Sequence, residues 1–270
     1  MVNPRVLGVV AAVAVGLVLP ATALALKLRA AGHGKASAAM PRSTLTLGLP
    51  AIGALYASAE TTEHGCSASV VDSPRGNTLI TAAHCVSGSG AGMVFAPGEH
   101  GGDAPYGRWT VTSAHVAPRW VKGQDPHDDV AFLTVAPQDV GGRLTDIQQV
   151  TGGYPLGSTA RAGQPVSVTA YPVGTTNDPI TCTAKVYLTG GFPSFNCRGY
   201  VNGTSGAPWL RATSHGLEIV GLIGGLHQGG CVPDTSYSPR LAVAAHATYR
   251  RASTGVTADV LPAPGGNGCV

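Results

Sequence analysis

Apolar residues run along this chain in short blocks, and block after block ends at Gly, Pro, Asn or Asp. Such blocks read as β-strands closed by turns. The pattern predicts strands over residues 66–71, 78–81, 109–116, 130–135, 165–170, 184–188 and 218–223. One stretch departs from it. Across residues 241–251 a helical spacing brings Leu241, Ala245 and Thr248 or Tyr249 to one face. Arg250 and Arg251 stand near its C-terminus, where the helix dipole favours cations. Many short strands, with no internal repeat and no alternation with helices, predict an all-β sandwich or barrel.

The N-terminus follows a different pattern. One positive charge in residues 1–5 precedes an uncharged, mostly apolar run over 6–26, which ends in Ala21-Thr22-Ala23 and Ala23-Leu24-Ala25. A charged start, an apolar middle and small residues at the end describe a secretory signal peptide. The run is also long enough to span a bilayer, so the alternative is an uncleaved anchor holding the chain to the outer face of the membrane. No second long apolar run follows, and no membrane contact is expected once the signal is cleaved. Residues 27–49 read as a pro-segment or linker, 50–253 as the compact domain, and 254–270 as a tail tethered, if at all, through Cys269.

Composition narrows the function classes. Apolar residues make up 44% and charged residues 11%, enough apolar surface for a core and too little charge for disorder throughout. Gly and Pro number 38 and 20, which disfavours long helices. The net charge of +3 is scattered singly, with no basic stripe, so nucleic acid is not an expected partner. The six cysteines are Cys66, Cys85, Cys182, Cys197, Cys231 and Cys269, an even count that suggests three disulfides in an exported chain. Six cysteines allow 15 pairings, and the sequence leaves the choice open. Nearest neighbours, Cys66–Cys85, Cys182–Cys197 and Cys231–Cys269, are the working assignment. Neither C-x-x-C nor H-x-x-x-H spacing occurs, so no metal and no other cofactor is expected.

Three segments carry candidate chemistry. Leu79-Ile80-Thr81-Ala82-Ala83-His84-Cys85 ends an apolar strand in a histidine. His127-Asp128-Asp129-Val130-Ala131-Phe132-Leu133 opens a buried strand with an acidic pair, and Asn202-Gly203-Thr204-Ser205-Gly206-Ala207-Pro208-Trp209 sets a serine between glycines. Singly, each has an ordinary structural explanation. Together they supply a weak hydroxyl nucleophile, an imidazole to activate it, and a carboxylate to orient the imidazole.

The strings T-A-A-H-C, D-D-V-A-F-L and G-T-S-G-A-P, in that order, resemble the trypsin/chymotrypsin-like serine peptidases. The resemblance covers roughly residues 51–253. It implies two six-stranded antiparallel β-barrels with a short C-terminal helix, and a secreted, monomeric endopeptidase acting on peptides or proteins. It makes His84 the general base, Asp129 its orienting carboxylate, Ser205 the nucleophile, and the backbone N–H groups of Gly203 and Ser205 the oxyanion hole. Gly224 and Gly225 would pair with an extended substrate. Gly199, Tyr200 and His227 would lie at the primary pocket, and Cys66 and Cys85 match the pair that staples the loop beside the histidine.

The departures point to bacterial secreted branches, including the glutamyl-endopeptidase-like one. Thr204 stands where the vertebrate digestive enzymes carry the Asp that pairs with a freed N-terminus. Gly199 stands where trypsin carries an acidic residue, and Gly224 replaces a serine that often supports the triad Asp. Two rivals remain. One is an inactive homologue acting as a binding module. The other is an α/β-hydrolase esterase that would use Ser205, Asp234 and His246. Its nucleophile elbow must lead into a helix, whereas Pro208-Trp209-Leu210 reads as strand.

Overall fold

The computed structural model describes residues 39–174 and 178–269. The signal segment and residues 27–38 of the proposed linker lie outside the described residues. A short strand β1 (Thr44–Leu45) comes first. It is followed by β2 (Ile52–Tyr56), β3 (Cys66–Val71), β4 (Thr78–Thr81), β5 (Val94–Pro97), β6 (Trp109–Val116) and β7 (Ala131–Val135). Strands β2 to β7 close a barrel in the order β2-β3-β4-β7-β6-β5. A helix α1 (Pro118–Gly123) lies between β6 and β7.

A hairpin of β8 (Gln138–Asp139) and β9 (Leu144–Thr145) and a helical turn α2 (Ile147–Thr151) lead into the second half. There β10 (Pro165–Ala170), β11 (Ile180–Lys185), β14 (Pro208–Thr213) and β15 (Gly216–Leu222) join β1 in one five-stranded sheet. Strands β12 (Tyr187–Thr189), β13 (Phe192–Asn196) and β16 (Thr235–Tyr237) form a three-stranded sheet. All the ladders are antiparallel. Helix α3 (Val243–Thr254) ends the domain, and among the described residues no helix is long and apolar enough to cross a membrane.

The unbroken apolar strings have a physical cause. Alternate residues of a strand face opposite sides, and the barrel strands are buried on both, except β6, where Thr110 and Thr112 are exposed. Leu55, Leu79 and Leu133 point into a first core with Trp109 and Phe95. Their neighbours Tyr56, Ile80 and Phe132 point outward into a second core, shared with Tyr171 and Leu222 of the second half and with Leu241 and Ala245. A third core of Val166, Val168, Phe195, Trp209 and Val220 fills the second half. The middle core fuses the two halves, which fixes the loops that meet between them.

The six cysteines form Cys66–Cys85, Cys182–Cys197 and Cys231–Cys269. Residues 39–49 pack on the domain. Besides the β1–β11 pairing, Ser43 N–H donates to the Arg198 carbonyl (2.9 Å) and Arg198 N–H to the Pro41 carbonyl (2.9 Å).

Candidate active site

His84 sits in the Ala83–Cys85 turn that ends β4. Ala82 and Ala83 are fully buried, so the chain turns there without a bulky side chain and presents the imidazole at the barrel mouth. Asp129 follows the Pro126–Asp128 turn and is itself fully buried. Three N–H groups hold its carboxylate. The His84 backbone N–H reaches Oδ1 at 2.9 Å, and the His84 ring reaches Oδ2 through Nδ1 at 2.8 Å. The Gly225 backbone N–H reaches Oδ2 at 2.7 Å. A carboxylate only accepts, so Nδ1 carries the ring proton and Nε2 is left as the basic nitrogen. The neighbouring Asp128 is spent elsewhere, on Arg119 Nε at 2.8 Å.

Ser205 lies in a turn bounded by Gly203 (φ 90°) and Gly206 (φ 83°). A Cβ at Gly206 would fall on Thr81 Oγ1 and the Ser67 carbonyl, so glycine is required there for space as well as for backbone. The turn is tied to the first barrel by Ser67. Its N–H donates to the Ser205 carbonyl (2.7 Å) and its hydroxyl to the Gly203 carbonyl (3.0 Å), while Tyr171 N–H donates to that hydroxyl (2.9 Å). Gly206 N–H donates to the Ile223 carbonyl at 2.7 Å. Among the described residues, no hydrogen bond takes up the N–H of Gly203 or of Ser205. Both remain available to an anion. Thr204 is buried and satisfies itself, its hydroxyl donating to the Val201 carbonyl at 2.7 Å.

A cavity of about 940 Å³ opens onto these groups, and His84, Gly203, Ser205, Tyr200 and His227 all line it. Its described lining holds no Asp, Glu, Lys or Arg. Tyr200 is buried, and its hydroxyl donates to the Val168 carbonyl (2.6 Å), so its ring faces the cavity with the polar tip already satisfied. Burial pushes its phenol far above the usual tyrosine range. The His227 ring uses Nδ1 on the Asn267 carbonyl at 3.1 Å.

Gly199, Gly224 and Gly225 do not line the cavity. Gly199 N–H donates to the Pro233 carbonyl (3.0 Å), and a Cβ there would fall on Ser43 Oγ. Gly224 N–H donates to the Tyr237 carbonyl at 3.0 Å. With Gly225 N–H on Asp129, both N–H groups are taken, while among the described residues no hydrogen bond takes up the Gly224 carbonyl.

A family model described as a trypsin-like peptidase domain matches residues 66–222, which include His84, Asp129 and Ser205. The chain belongs to the trypsin-like peptidase family. No curated protein matches this trypsin-like peptidase, but solved structures do. The protease Anisep from Arthrobacter nicotinovorans is 22% identical, with a TM-score of 0.67 over 79% of this chain and 100% of its own. The thermostable serine protease AL20, from an extremophilic microorganism, is 26% identical, with a TM-score of 0.64 over 76% of this chain and 98% of its own. A Glu endopeptidase shares the fold at 15% identity, with a TM-score of 0.60 over 79% of this chain and 97% of its own. The chain is a serine endopeptidase with a chymotrypsin-like fold.

Two features of this trypsin-like peptidase carry no sequence signal. A strand serine such as Ser67 looks like any other, and only the fold brings it to the Ser205 turn. The tail residues Asn267 and Cys269 line the cavity; the Cys231–Cys269 pairing was the nearest-neighbour assignment, but nothing in the sequence marked the tail as part of the cavity wall.

Proposed function

We propose that the chain is a secreted serine endopeptidase that cleaves peptide bonds through His84, Asp129 and Ser205 with an acyl-enzyme intermediate. The observation that carries this reading is the His84–Asp129 pair, its carboxylate held by three N–H groups and its imidazole sharing a cavity with Ser205. His84 Nε2 takes the Ser205 proton as Oγ attacks the carbonyl carbon. The Gly203 and Ser205 N–H groups receive the oxyanion, each such donor contributing about 10²–10³ in rate. His84 then gives its proton to the leaving amine, and the acyl group stays on Ser205. Water, activated by the same imidazole, releases it.

The uncharged lining of the cavity supports a substrate with an uncharged side chain before the scissile bond. The three disulfides and the 6–26 segment support action outside the cytoplasm. The chain acts as a monomer on peptides or proteins.

The test is Ser205→Ala. Peptide hydrolysis falls about 10⁴-fold or more while the fold is kept, and fluorophosphonate labelling disappears. Wild-type protein that neither labels nor cleaves peptides would make the chain an inactive homologue. Turnover of short esters without peptides would make it an esterase.

A further inference from the structure

Beyond helix α3 the chain does not trail into solvent. Asp259 N–H donates to the Ala114 carbonyl (2.9 Å), and Asp259 Oδ2 accepts from Val116 N–H (2.9 Å). Leu261 is buried and exchanges both backbone hydrogen bonds with Gly88, at 2.7 and 3.0 Å. The tail then leaves the barrel and crosses to the substrate cavity. Gln124 holds it with both ends of its amide, Nε2 donating to the Ala263 carbonyl (2.8 Å) and Oε1 accepting from Gly265 N–H (2.7 Å). Gln228 Nε2 donates to the Gly265 carbonyl (2.8 Å), His227 Nδ1 to the Asn267 carbonyl, and Cys269 closes the path on Cys231.

Two independent features say that this path is built. Among the described residues, the non-glycine residues with left-handed backbone are Gln124 (φ 50°), His227 (φ 53°) and Gln228 (φ 52°). All three give their side chains to the tail. Left-handed backbone in such residues costs energy and persists where the surroundings enforce it. The cavity side agrees. Past Gly224 the cleft strand stops offering an open edge: Gly225 N–H is on Asp129, and the Gly225 carbonyl accepts Gln228 N–H at 2.9 Å. The chain curls into the Leu226–Gly229 turn under the tail. Asn267 and Cys269 complete the cavity wall there.

We propose that residues 263–269 are a disulfide-latched strap that sets substrate length. This rests on the peptidase reading above, in which the cavity beside Tyr200 and His227 takes the residue before the scissile bond. A wall adjoining that cavity stands in the path of the residues further toward the substrate's N-terminus. The strap therefore selects substrates with a short stretch on that side, such as small peptides and free chain ends, over long extended segments of proteins.

The experiment is a series of chromogenic peptides with one to six residues before the scissile bond, assayed on the full chain and on two variants. The first variant ends at Pro262, which keeps the Asp259 and Leu261 anchors. The second is Gln124→Gly, which removes the clamp and suits the left-handed backbone. It reads the same comparison if the shortened chain does not fold. In the wild type kcat/KM rises over the first residues and then drops about tenfold or more for the longest peptides, a difference worth about 1.4 kcal/mol. Both variants recover that loss, the shortened chain more completely, and Gln124→Gly, whose side chain is outside the cavity lining, keeps the wild-type rate of fluorophosphonate labelling of Ser205. A flat or rising length profile in the wild type overturns the strap. So does a variant that loses activity on long peptides, since the tail would then be a binding surface. Absence of labelling and cleavage in the wild type would instead remove the peptidase reading itself.

Discussion

Gly225 shows how one peptide N–H can stand in for a side chain. The serine expected to support the carboxylate of the proposed triad is replaced here by Gly224, and the neighbouring amide fills the gap at 2.7 Å from Asp129 Oδ2. Gly225 has φ 78°, and a Cβ there would lie 2.8 Å from the Pro239 nitrogen. Gly225→Ala shifts this amide, and with it the Asp129 carboxylate and the His84 ring. The expected result is a fall in kcat of up to about 10²-fold, with KM less affected, read by steady-state kinetics on a short peptide. A loss of thermal stability alone, with kcat intact, would limit Gly225 to packing. This support was not legible in the sequence, because a backbone donor has no residue type to mark it. His84, Asp129 and Ser205 were each assigned through their motifs, and in the structure the neighbouring Asp128 pairs with Arg119 instead. A second residue-scale prediction concerns His115, buried in β6 with Nδ1 lacking a hydrogen-bond partner among the described residues. Burial holds its imidazole below the usual histidine range, the Asp259 carboxylate opposing and the Arg251 guanidinium reinforcing the shift. Below the ordinary value of about 6.5 the unfolded chain takes up a proton that the folded chain refuses. Stability therefore falls as pH drops through that value, down to the depressed folded one. His115→Gln removes this part of the acid loss, as denaturant unfolding at about pH 5 and about pH 7.5 would show.

Among the elements, legibility followed burial. Strands β3, β4, β6 and β10 coincide with the blocks read from the sequence, because each sends apolar side chains into a core, Ala68 and Val70 from β3, Leu79 from β4, Trp109 and Val111 from β6, Val166 and Val168 from β10, with Ser or Thr among their neighbours. The 184–188 block was misplaced: it straddles the end of β11 and the start of β12, with buried Val186 between them. Strand β2 escaped notice because Gly53 interrupts it, and a Cβ there would fall on the Ala96 carbonyl. The C-terminal helix runs two to three residues later than its periodicity placed it, with Ala245 and Thr248 buried as expected. The element-scale prediction is about specificity. The loop through Gly199 puts no carboxylate in the cavity, and a lysine or arginine side chain entering it would lose hydration with no counter-charge. Peptide-library profiling should show no preference for Lys or Arg before the cut. Gly199→Asp should not create one, because its Cβ would meet Ser43 and the position is outside the lining. Dominant cleavage after Lys or Arg would overturn this.

Across the whole molecule, the two ends of the described chain are worked into the second half and the cleft, which composition alone hid behind Gly-, Ala- and Ser-rich sequence. Nearest-neighbour disulfides followed from loops that return locally, yet Cys231–Cys269 draws the C-terminus across a sequence separation of 38. The N-terminal side bears on activation. In relatives with Asp before the serine, a freed ammonium buries itself against that carboxylate and orders the oxyanion turn. Here the turn is ordered by other means: Thr204 bonds Val201, Ser67 bonds both Gly203 and Ser205, and Gly206 bonds Ile223. An ammonium brought against Thr204 would lose its hydration without a counter-ion. Activity should therefore be indifferent to the chemistry of the N-terminus but sensitive to the loss of β1, which pairs with β11 while the preceding Ser43 packs beside Gly199. Chains starting at several positions from Lys27 to Ala39, free or acetylated, should turn over a short peptide at equal rates. A chain starting at Pro50 should lose stability and activity together, having lost Ser43 and the β1 pairing. If acetylation alone abolished turnover in the longer chains, a free ammonium would be needed after all, and a carboxylate other than residue 204 would have to receive it.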